Sequence, residues 1–262
     1  MYDFEFVRPA TVAEAVAALA SDDAMALGGG QTLIPTMKAR LASPSKLVSL
    51  GGIAEMQGIS ASGGAISIGG GTTHAAVAAG AGAYPALAAL AGGIGDAAVR
   101  NRGTIGGSIA NNDPSADYPC AALASGATIN TNARSISADD FFQGLFETAL
   151  DGAEIITSIE FPVPEAANYQ KFLQPASRFA LVGVMVAKYA GGVRVAVTGA
   201  SQTGVFRWSQ AEAALSSNFS ASALDAMSLD ASDMIGDLHG TPQYRAHLIT
   251  VLTARAVTAA SG

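Results

Sequence analysis

The sequence predicts an α+β protein in which two strand–turn–helix units precede a small C-terminal part with an antiparallel sheet and helices. Three observations lead to this fold class. Two strand-like runs end in triple glycines, Gly28–Gly30 and Gly69–Gly71, and a helical pattern follows each of them. The proline-rich segment Pro162–Pro164 marks a domain boundary. Beyond it, two apolar runs flank Gly191–Gly192, which is typical of a hairpin.

The first unit begins with a capped helix. Thr11 and Glu14 have the spacing of a capping box, and an apolar helix runs on to about Ala20. The next predicted elements are a strand at Met25–Leu27, a helix from Leu33 and a strand at Lys46–Leu50.

The second unit starts with a strand at Ala65–Ile68, after which Thr72 or Thr73 caps an alanine-rich helix. The remaining predicted elements are a helix from Tyr84 to Leu90, a turn anchored by Phe141 and Phe142, and strands at Thr128–Asn130 and Glu154–Phe161.

The C-terminal part has small polar residues up to Asn168 and then the hairpin. Its predicted strands are Ala180–Tyr189 and Val193–Thr198, and its predicted helices lie around Gln210–Ser216, Ala221–Met227 and Pro242–Val257. The domain boundaries that follow are 1–164, with subdomains of about 1–52 and 53–164, and 165–262.

Composition limits the function classes. Half of the residues are hydrophobic and 13% are charged, so a large core is expected. The net charge of −7 argues against nucleic-acid binding, and no apolar run reaches the roughly 20 residues that span a bilayer. The acidic N-terminal segment lacks the pattern of a signal peptide, which predicts a cytoplasmic protein. The low charge fits either a buried subunit interface or an alanine-rich proteome.

The most informative segment is Val99–Asp117, which joins a glycine-rich turn to a run of Asn and Asp. Glycine allows backbone N–H groups to approach a bulky ligand that a Cβ would exclude. The Thr, Ser, Asn and Asp side chains supply hydrogen bonds to hydroxyls or phosphates. The segment therefore predicts a cradle for a large polyhydroxylated cofactor, built mostly from backbone.

The first glycine turn, Gly28–Thr32, lies between a strand and a helix, where glycine loops bind phosphate. Such a turn is either purely structural or part of a binding site, and its combination with Val99–Asp117 favours binding. Leu33 occupies the place of the third glycine of a dinucleotide fingerprint, and no Gly-Lys-Ser/Thr follows a glycine loop. The Rossmann and P-loop classes are therefore disfavoured.

No metal or catalytic cluster emerges from the sequence. His74, His239 and His247 lack ligand spacing; His74 is expected to cap or pack, and the other two to be solvated. Cys120 is the single cysteine, which excludes a disulfide and a self-contained iron–sulfur cluster and predicts a buried, inert thiol.

Asp113 and Asp117 fit an acid–base pair and turn or cap residues equally well. No other acid, base or nucleophile has a supporting pattern. A cofactor cradle without such groups suits electron transfer, in which the cofactor performs the chemistry.

Several segments carry a family resemblance, in this order along the chain: Leu27–Pro35, Arg40–Pro44 with Leu47–Leu50, Ile68–His74, Ile94–Asp117, Asp140–Phe142, Thr148–Leu150, Glu154–Ile155 and Tyr244–Leu248. Together they resemble the FAD-binding medium subunit of the molybdenum hydroxylases, the xanthine dehydrogenase and carbon monoxide dehydrogenase group. The resemblance implies a vanillyl-alcohol-oxidase-type (PCMH-type) fold that binds FAD non-covalently between two α/β subdomains in residues 1–164. A small C-terminal α+β domain follows.

The resemblance also implies roles for individual residues. Backbone donors to the FAD pyrophosphate are implied at Gly28, Gly29, Gly30, Gln31 and Thr32, with Leu33 nearby. A second backbone clamp is implied at Thr104, Ile105, Gly106, Gly107 and Ser108. Contacts to phosphate, ribityl or ribose hydroxyls are implied at Asn111, Asp113 and Asp117, to adenine at Ile94, and to the flavin ring at Ile156.

The implied activity is electron transfer within a complex. A large subunit would carry the molybdenum cofactor and a small one two [2Fe–2S] clusters, as a heterotrimer or a dimer of heterotrimers. Electrons would pass through FAD to an external acceptor. A stand-alone flavin oxidase of the same fold and a scaffold that has lost FAD are the alternatives. The chain departs from the family in lacking a Lys/Arg-rich stretch at Phe172–Gln174, which predicts a lower flavin potential or an altered choice of acceptor.

Overall fold

A computed structural model describes all residues, 1–262, and shows three sheets of three or more strands with helices packed around them. The first sheet is small and parallel, with strand order β1-β3-β2. Its elements are β1 (Glu5–Val7), α1 (Val12–Leu19), β2 (Ala24–Leu27), α2 (Leu33–Lys38) and β3 (Lys46–Ser49).

The capping box of α1 is confirmed. The Glu14 N–H donates to the Thr11 hydroxyl at 3.2 Å, and the Glu14 carboxylate accepts from the Ala10 N–H at 2.8 Å. Strand β1 was not predicted, because three residues with a largely exposed surface give no periodic signal.

The second sheet is antiparallel, with strand order β4-β5-β10-β6-β7. A 3₁₀ turn at Ala54–Met56 precedes it. Its strands are β4 (Ile59–Ser62), β5 (Ala65–Gly69), β6 (Thr128–Thr131), β7 (Ser135–Ser137) and β10 (Ile156–Pro162), and a two-stranded ribbon adds β8 (Phe142–Gly144) and β9 (Glu147–Thr148). The helices of this unit are α3 (His74–Gly80), α4 (Pro85–Gly92), α5 (Ala97–Arg100), α6 (Ile105–Asn111), α7 (Asp117–Ser125) and α8 (Ala138–Phe141).

Strand β10 is the centre of this sheet, because Ile159 pairs with Ile68 on one side and with Ile129 on the other. All three side chains are buried. The strand begins two residues later than predicted, because the Glu154 N–H donates to the Asp151 carbonyl at 2.8 Å in a turn that precedes the strand.

The third sheet is antiparallel, with strand order β11-β12-β13-β14. Its strands are β11 (Ala166–Leu173), β12 (Ala180–Tyr189), β13 (Gly192–Thr198) and β14 (Phe206–Arg207), followed by α9 (Ser209–Ser217), a 3₁₀ turn (Ala221–Leu224) and α10 (Pro242–Ser261). The predicted hairpin is confirmed, since Tyr189 pairs with Gly192.

Two features of the C-terminal part differ from the predicted elements. Strand β11 was not predicted, because its polar, half-buried residues give no clear periodic signal. The helix predicted around Ala221–Met227 is only a 3₁₀ turn of four residues.

Strand β12 places the third sheet between two helical layers. Val182, Val184 and Val186 belong to the hydrophobic cluster that includes α9 and α10. Met185 and Ala187 belong to the larger cluster that includes α7 and β10. The sheet therefore packs directly against the unit that contains the glycine-rich segments. The domain boundaries given above stay a prediction.

Candidate functional site

The first glycine turn leaves a series of backbone donors without partners. It connects β2 to α2, and Gly30 has φ +71°, a left-handed conformation that suits glycine. The N–H groups of residues 28–33 donate no hydrogen bond within the protein. Four of these residues are half-buried, and Gln31 and Thr32 are exposed. Six consecutive free N–H groups in such a turn form a site for anionic or carbonyl oxygens.

This turn contacts the second predicted motif directly. A Cβ on Gly29 would lie 2.0 Å from the Arg102 carbonyl oxygen, and one on Gly28 would lie 2.9 Å from the Thr104 hydroxyl oxygen. Only glycine permits this approach of two backbones. The structure thus brings together the two segments that the sequence singled out.

The second triple glycine supports the other side of this junction. Gly106 donates to the Gly70 carbonyl at 2.9 Å, and Ile105 donates to the Thr72 carbonyl at 3.0 Å. A Cβ on Gly106 would lie 2.6 Å from the Gly70 oxygen. Gly70 in turn donates to Thr157 of β10 at 2.8 Å. These contacts attach Thr104–Ser108, the N-cap and first turn of α6, to the central sheet. We call this segment the second loop and Gly28–Leu33 the first loop.

The backbone donors of Thr104–Ser108 are therefore largely used inside the protein. Besides Ile105 and Gly106, the Ser108 N–H donates to the Thr104 carbonyl at 3.0 Å. The Gly107 N–H donates to the Thr104 hydroxyl oxygen at 3.2 Å, the N-cap bond of α6. The Ser108 hydroxyl makes no hydrogen bond within the protein. No sequence pattern predicted this difference from Gly28–Leu33.

The polar run after α6 is partly engaged by the protein itself. The Asp113 carboxylate accepts from the Ser115 N–H at 2.8 Å, an Asx turn, so the turn alternative describes this residue. Asn111 is half-buried, and its side chain has no partner among the hydrogen bonds of this run. Asn112 is left-handed, with φ +42°, and its amide donates to the carbonyls of Gly144 and Glu147.

Asp117 forms a buried ion pair that sequence reasoning missed. Its carboxylate lies 2.9 Å from the Lys171 ammonium and accepts from the Tyr169 hydroxyl, and both partners come from the unpredicted strand β11. Burial raises the pKa of Asp117, while the Lys171 charge and the Tyr169 hydrogen bond act in the opposite direction. Burial and the neighbouring Asp117 carboxylate raise the pKa of Tyr169 well above its usual value, so its hydroxyl remains a donor.

The two apolar residues implied by the resemblance lie at the edges of this region. Ile156 is buried at the start of β10, and its carbonyl oxygen is 2.2 Å from where a Cβ of Gly70 would be. Ile94 is half-buried after α4, and the Arg100 guanidinium holds its carbonyl at 3.0 Å.

His74 packs beneath the second loop, as its predicted packing role requires. Its N–H donates to the Gly103 carbonyl at 3.0 Å, and its ring lies 5.3 Å from that of Tyr118. Burial, with the nearby Arg100 charge, lowers the pKa of His74 to about 4, so the imidazole is neutral near pH 7.

Cys120 is buried, as predicted, and its thiol lies 3.1 Å from the Ala196 carbonyl oxygen. Burial raises its pKa, which keeps the thiol protonated. His239 and His247 are exposed, again as predicted. The structure contains no group of three or more His, Cys, Asp or Glu side chains able to hold a metal ion, and none of its helices meets the length and hydropathy required to cross a bilayer.

Comparison with known proteins agrees with this arrangement. The sequence profile described as "FAD binding domain in molybdopterin dehydrogenase" matches residues 2–164. The carbon monoxide dehydrogenase medium chain of Afipia carboxidovorans is 32% identical, with 97% of this chain and 95% of that protein covered. The nicotine 6-hydroxylase medium subunit of Paenarthrobacter nicotinovorans is also 32% identical, at 97% and 96% coverage.

Solved structures show the same fold. Quinoline 2-oxidoreductase from Pseudomonas putida 86 matches with a TM-score of 0.88 at 30% identity, covering 99% of this chain and 97% of that one. Carbon monoxide dehydrogenase from Hydrogenophaga pseudoflava matches with a TM-score of 0.88 at 33% identity, covering 99% and 98%. The predicted fold class is confirmed. The chain belongs to the FAD-binding medium subunits of the molybdenum hydroxylase family, and it is an oxidoreductase subunit.

Proposed function

We propose that this protein is the electron-transferring FAD subunit of a heteromeric molybdenum hydroxylase. The observation that carries the proposal is the series of six unpartnered N–H groups at Gly28–Leu33, pressed against Arg102–Thr104. A dinucleotide pyrophosphate has the negative charge and the oxygen acceptors that such a series requires. The glycines leave the space that a bulky cofactor needs.

The residues of this chain would hold the cofactor and exclude water from it. Gly28, Gly29, Gly30, Gln31 and Thr32 would donate backbone N–H groups to the pyrophosphate, with Leu33 beside them. The hydroxyl of Ser108 and the side chains of Asn111 and Asp113 would meet ribityl or ribose hydroxyls, and Ile94 and Ile156 would contact adenine and the flavin ring. When bound, FAD supplies the redox chemistry.

Asp117 would contact the phosphate, ribityl or ribose groups of FAD from a fixed position. Lys171 and Tyr169 hold both of its carboxylate oxygens, so its rotamer is determined before any cofactor binds. We assign the cofactor site to residues 1–164, with subdomains of about 1–52 and 53–164, and the third sheet and its helices to a domain of residues 165–262.

The partners would be a large subunit with the molybdenum cofactor and a small subunit with [2Fe–2S] clusters, as a heterotrimer or a dimer of heterotrimers. The names of the relatives support this, since they are medium chains or medium subunits of dehydrogenases and a hydroxylase. Electrons would enter from the partner clusters and leave FAD to an external acceptor.

The absorption spectrum of the complex purified with its co-expressed partners tests the proposal. Bound flavin absorbs at about 450 nm, by the chemistry of its ring system. We expect one FAD per chain, reduced only when the partner subunits and substrate are both present. A folded complex without flavin would favour the scaffold alternative. Reduction of the isolated chain by a substrate would favour the stand-alone oxidase.

A further inference from the structure

One face of the third sheet holds the polar run that follows α6. Lys171, Gly183 and Thr198 are register partners across β11, β12 and β13, and we call them the Lys171–Gly183–Thr198 row. At one end of the row, Lys171 binds the Asp117 carboxylate. At the other end, Thr198 contacts the main chain just before Asp117.

Thr198 contacts two main-chain carbonyls before Asp117. Its side chain is fully buried, and its hydroxyl lies 2.8 Å from the Ala116 carbonyl oxygen and 3.0 Å from the Pro114 carbonyl oxygen. The Gly199 N–H also donates to Pro114, at 2.8 Å. The first helical hydrogen bond of α7, from the Cys120 N–H to the Ala116 carbonyl, is not formed. Thr198 is therefore the donor that satisfies this half-buried carbonyl.

Gly183 lies in the middle of the row and completes the arrangement. A Cβ there would lie 2.3 Å from the Tyr169 hydroxyl oxygen and 2.8 Å from the Thr198 methyl carbon. Its absence lets the Tyr169 hydroxyl reach Asp117 across the sheet. The third sheet thus fixes Pro114, Ala116 and Asp117 from one side, by contacts that no feature of residues 1–164 supplies.

We propose that Thr198 is a positioning residue for FAD: by holding Pro114 and Ala116, it fixes the Asn111–Asp117 run in the conformation that receives the cofactor. This rests on the proposed function, because the role of that run in FAD binding is part of it. The third sheet then contributes to FAD retention, and Thr198 does so indirectly, through the Asn111–Asp117 run.

The test compares Thr198→Val with Thr253→Val. Thr253 is also fully buried in the C-terminal part, but its hydroxyl donates to the Ile249 carbonyl of its own helix at 2.7 Å. Both variants lose one hydroxyl, and both are purified in the whole complex. The readouts are the FAD dissociation constant of the deflavinated complex and the visible circular dichroism of bound flavin.

We expect Thr198→Val to bind FAD on the order of tenfold more weakly, because the half-buried Ala116 carbonyl loses its donor and the run before Asp117 is no longer held in place. Its flavin dichroism should change, Thr198→Ser should restore both readouts, and Thr253→Val should match the wild type. Equal FAD affinity and equal dichroism in the two valine variants would overturn the inference while leaving the proposed function intact. A wild-type complex that binds no FAD would overturn both.

If Thr198→Val does not fold, Thr198→Cys decides the question. The thiol has similar volume and is a weaker hydrogen-bond donor. We expect the cysteine variant to bind FAD more weakly than the wild-type and serine proteins do, but without losing FAD completely. Wild-type affinity and dichroism in the cysteine variant would contradict the positioning role.

Discussion

The two glycine-rich loops look alike in sequence and differ in what their backbones do. Gly28–Leu33 is half-buried to exposed and leaves its N–H groups free. Thr104–Gly106 is buried, and the donors from Ile105 to Ser108 are used within the protein. The first loop follows β2, an edge strand, and contacts Arg102–Thr104 without donating its N–H groups to them. The second lies beside Gly70 and Thr72 of a central unit. Glycine content alone does not distinguish a donor loop from a supporting loop, because the surrounding backbone decides it.

The largest effect on stability is expected from replacing Asp117, at the end of the Asn111–Asp117 run. Asp117→Ala leaves the Lys171 ammonium buried without its partner, since the Lys171 side chain is only 7% exposed. We expect a loss of unfolding free energy of about 3 kcal/mol or more, together with weaker FAD retention and unchanged molybdenum-site chemistry. Chemical denaturation and flavin content measure the two effects.

The double variant Asp117→Ala/Lys171→Met serves as the control for this prediction. It removes both charges and should regain most of the lost stability without regaining FAD affinity. A double variant that recovers both would show that the carboxylate matters only for folding.

Gly29→Ala tests the contact between the two loops. Its Cβ would meet the Arg102 carbonyl oxygen at 2.0 Å, so the loops must separate. We expect loss of bound FAD and a destabilisation of about 3 kcal/mol. Gly82→Ala is the matched control, because nothing lies within 4 Å of its added Cβ. Flavin retained by Gly29→Ala at the level of Gly82→Ala would mean that the contact is not needed.

His74, which packs beneath the second loop, makes the stability of the protein depend on pH. Its pKa is lowered from 6.5 to about 4, so the unfolded chain binds a proton in this range and the folded one does not. Stability from the neutral ring is complete above pH 6.5 and falls as pH drops to 4, by up to about 3 kcal/mol. Urea denaturation at pH 7 and pH 4.5 should show a smaller loss for His74→Gln than for wild type. The exposed His247→Gln should behave as wild type.

The smallest effects are expected from two substitutions in the second loop, which separate a role in stability from a role in FAD binding. Thr104→Val removes the N-cap of α6 and should cost about 1 kcal/mol of stability. Ser108→Ala removes a hydroxyl that is free in the protein, so it should lower FAD affinity a few-fold without changing stability. Thermal denaturation and FAD titration distinguish them. The opposite pattern would make Thr104 the ligand and Ser108 the structural residue.

Local patterns predicted the features that depend on neighbours in sequence. The capping box at Thr11, the hairpin at Gly191–Gly192 and both triple glycines are of this kind. Strand β11 was missed because its residues are polar and half-buried. The Asp117–Lys171 pair was missed with it, since its partners are 54 residues apart in sequence. The internal use of the Ile105 and Gly106 donors depends on Thr72 and Gly70, which no local pattern relates to them.

Hydrogen exchange of backbone amides, with and without FAD, tests the central claim most directly. Amides that donate to the cofactor become protected when it binds, and amides already bonded within the protein change little. We expect new protection at residues 28–33, and slow exchange at residues 105–108 both before and after FAD is added. Protection that appears at residues 105–108 and not at 28–33 would contradict the assignment of the first loop as the donor loop.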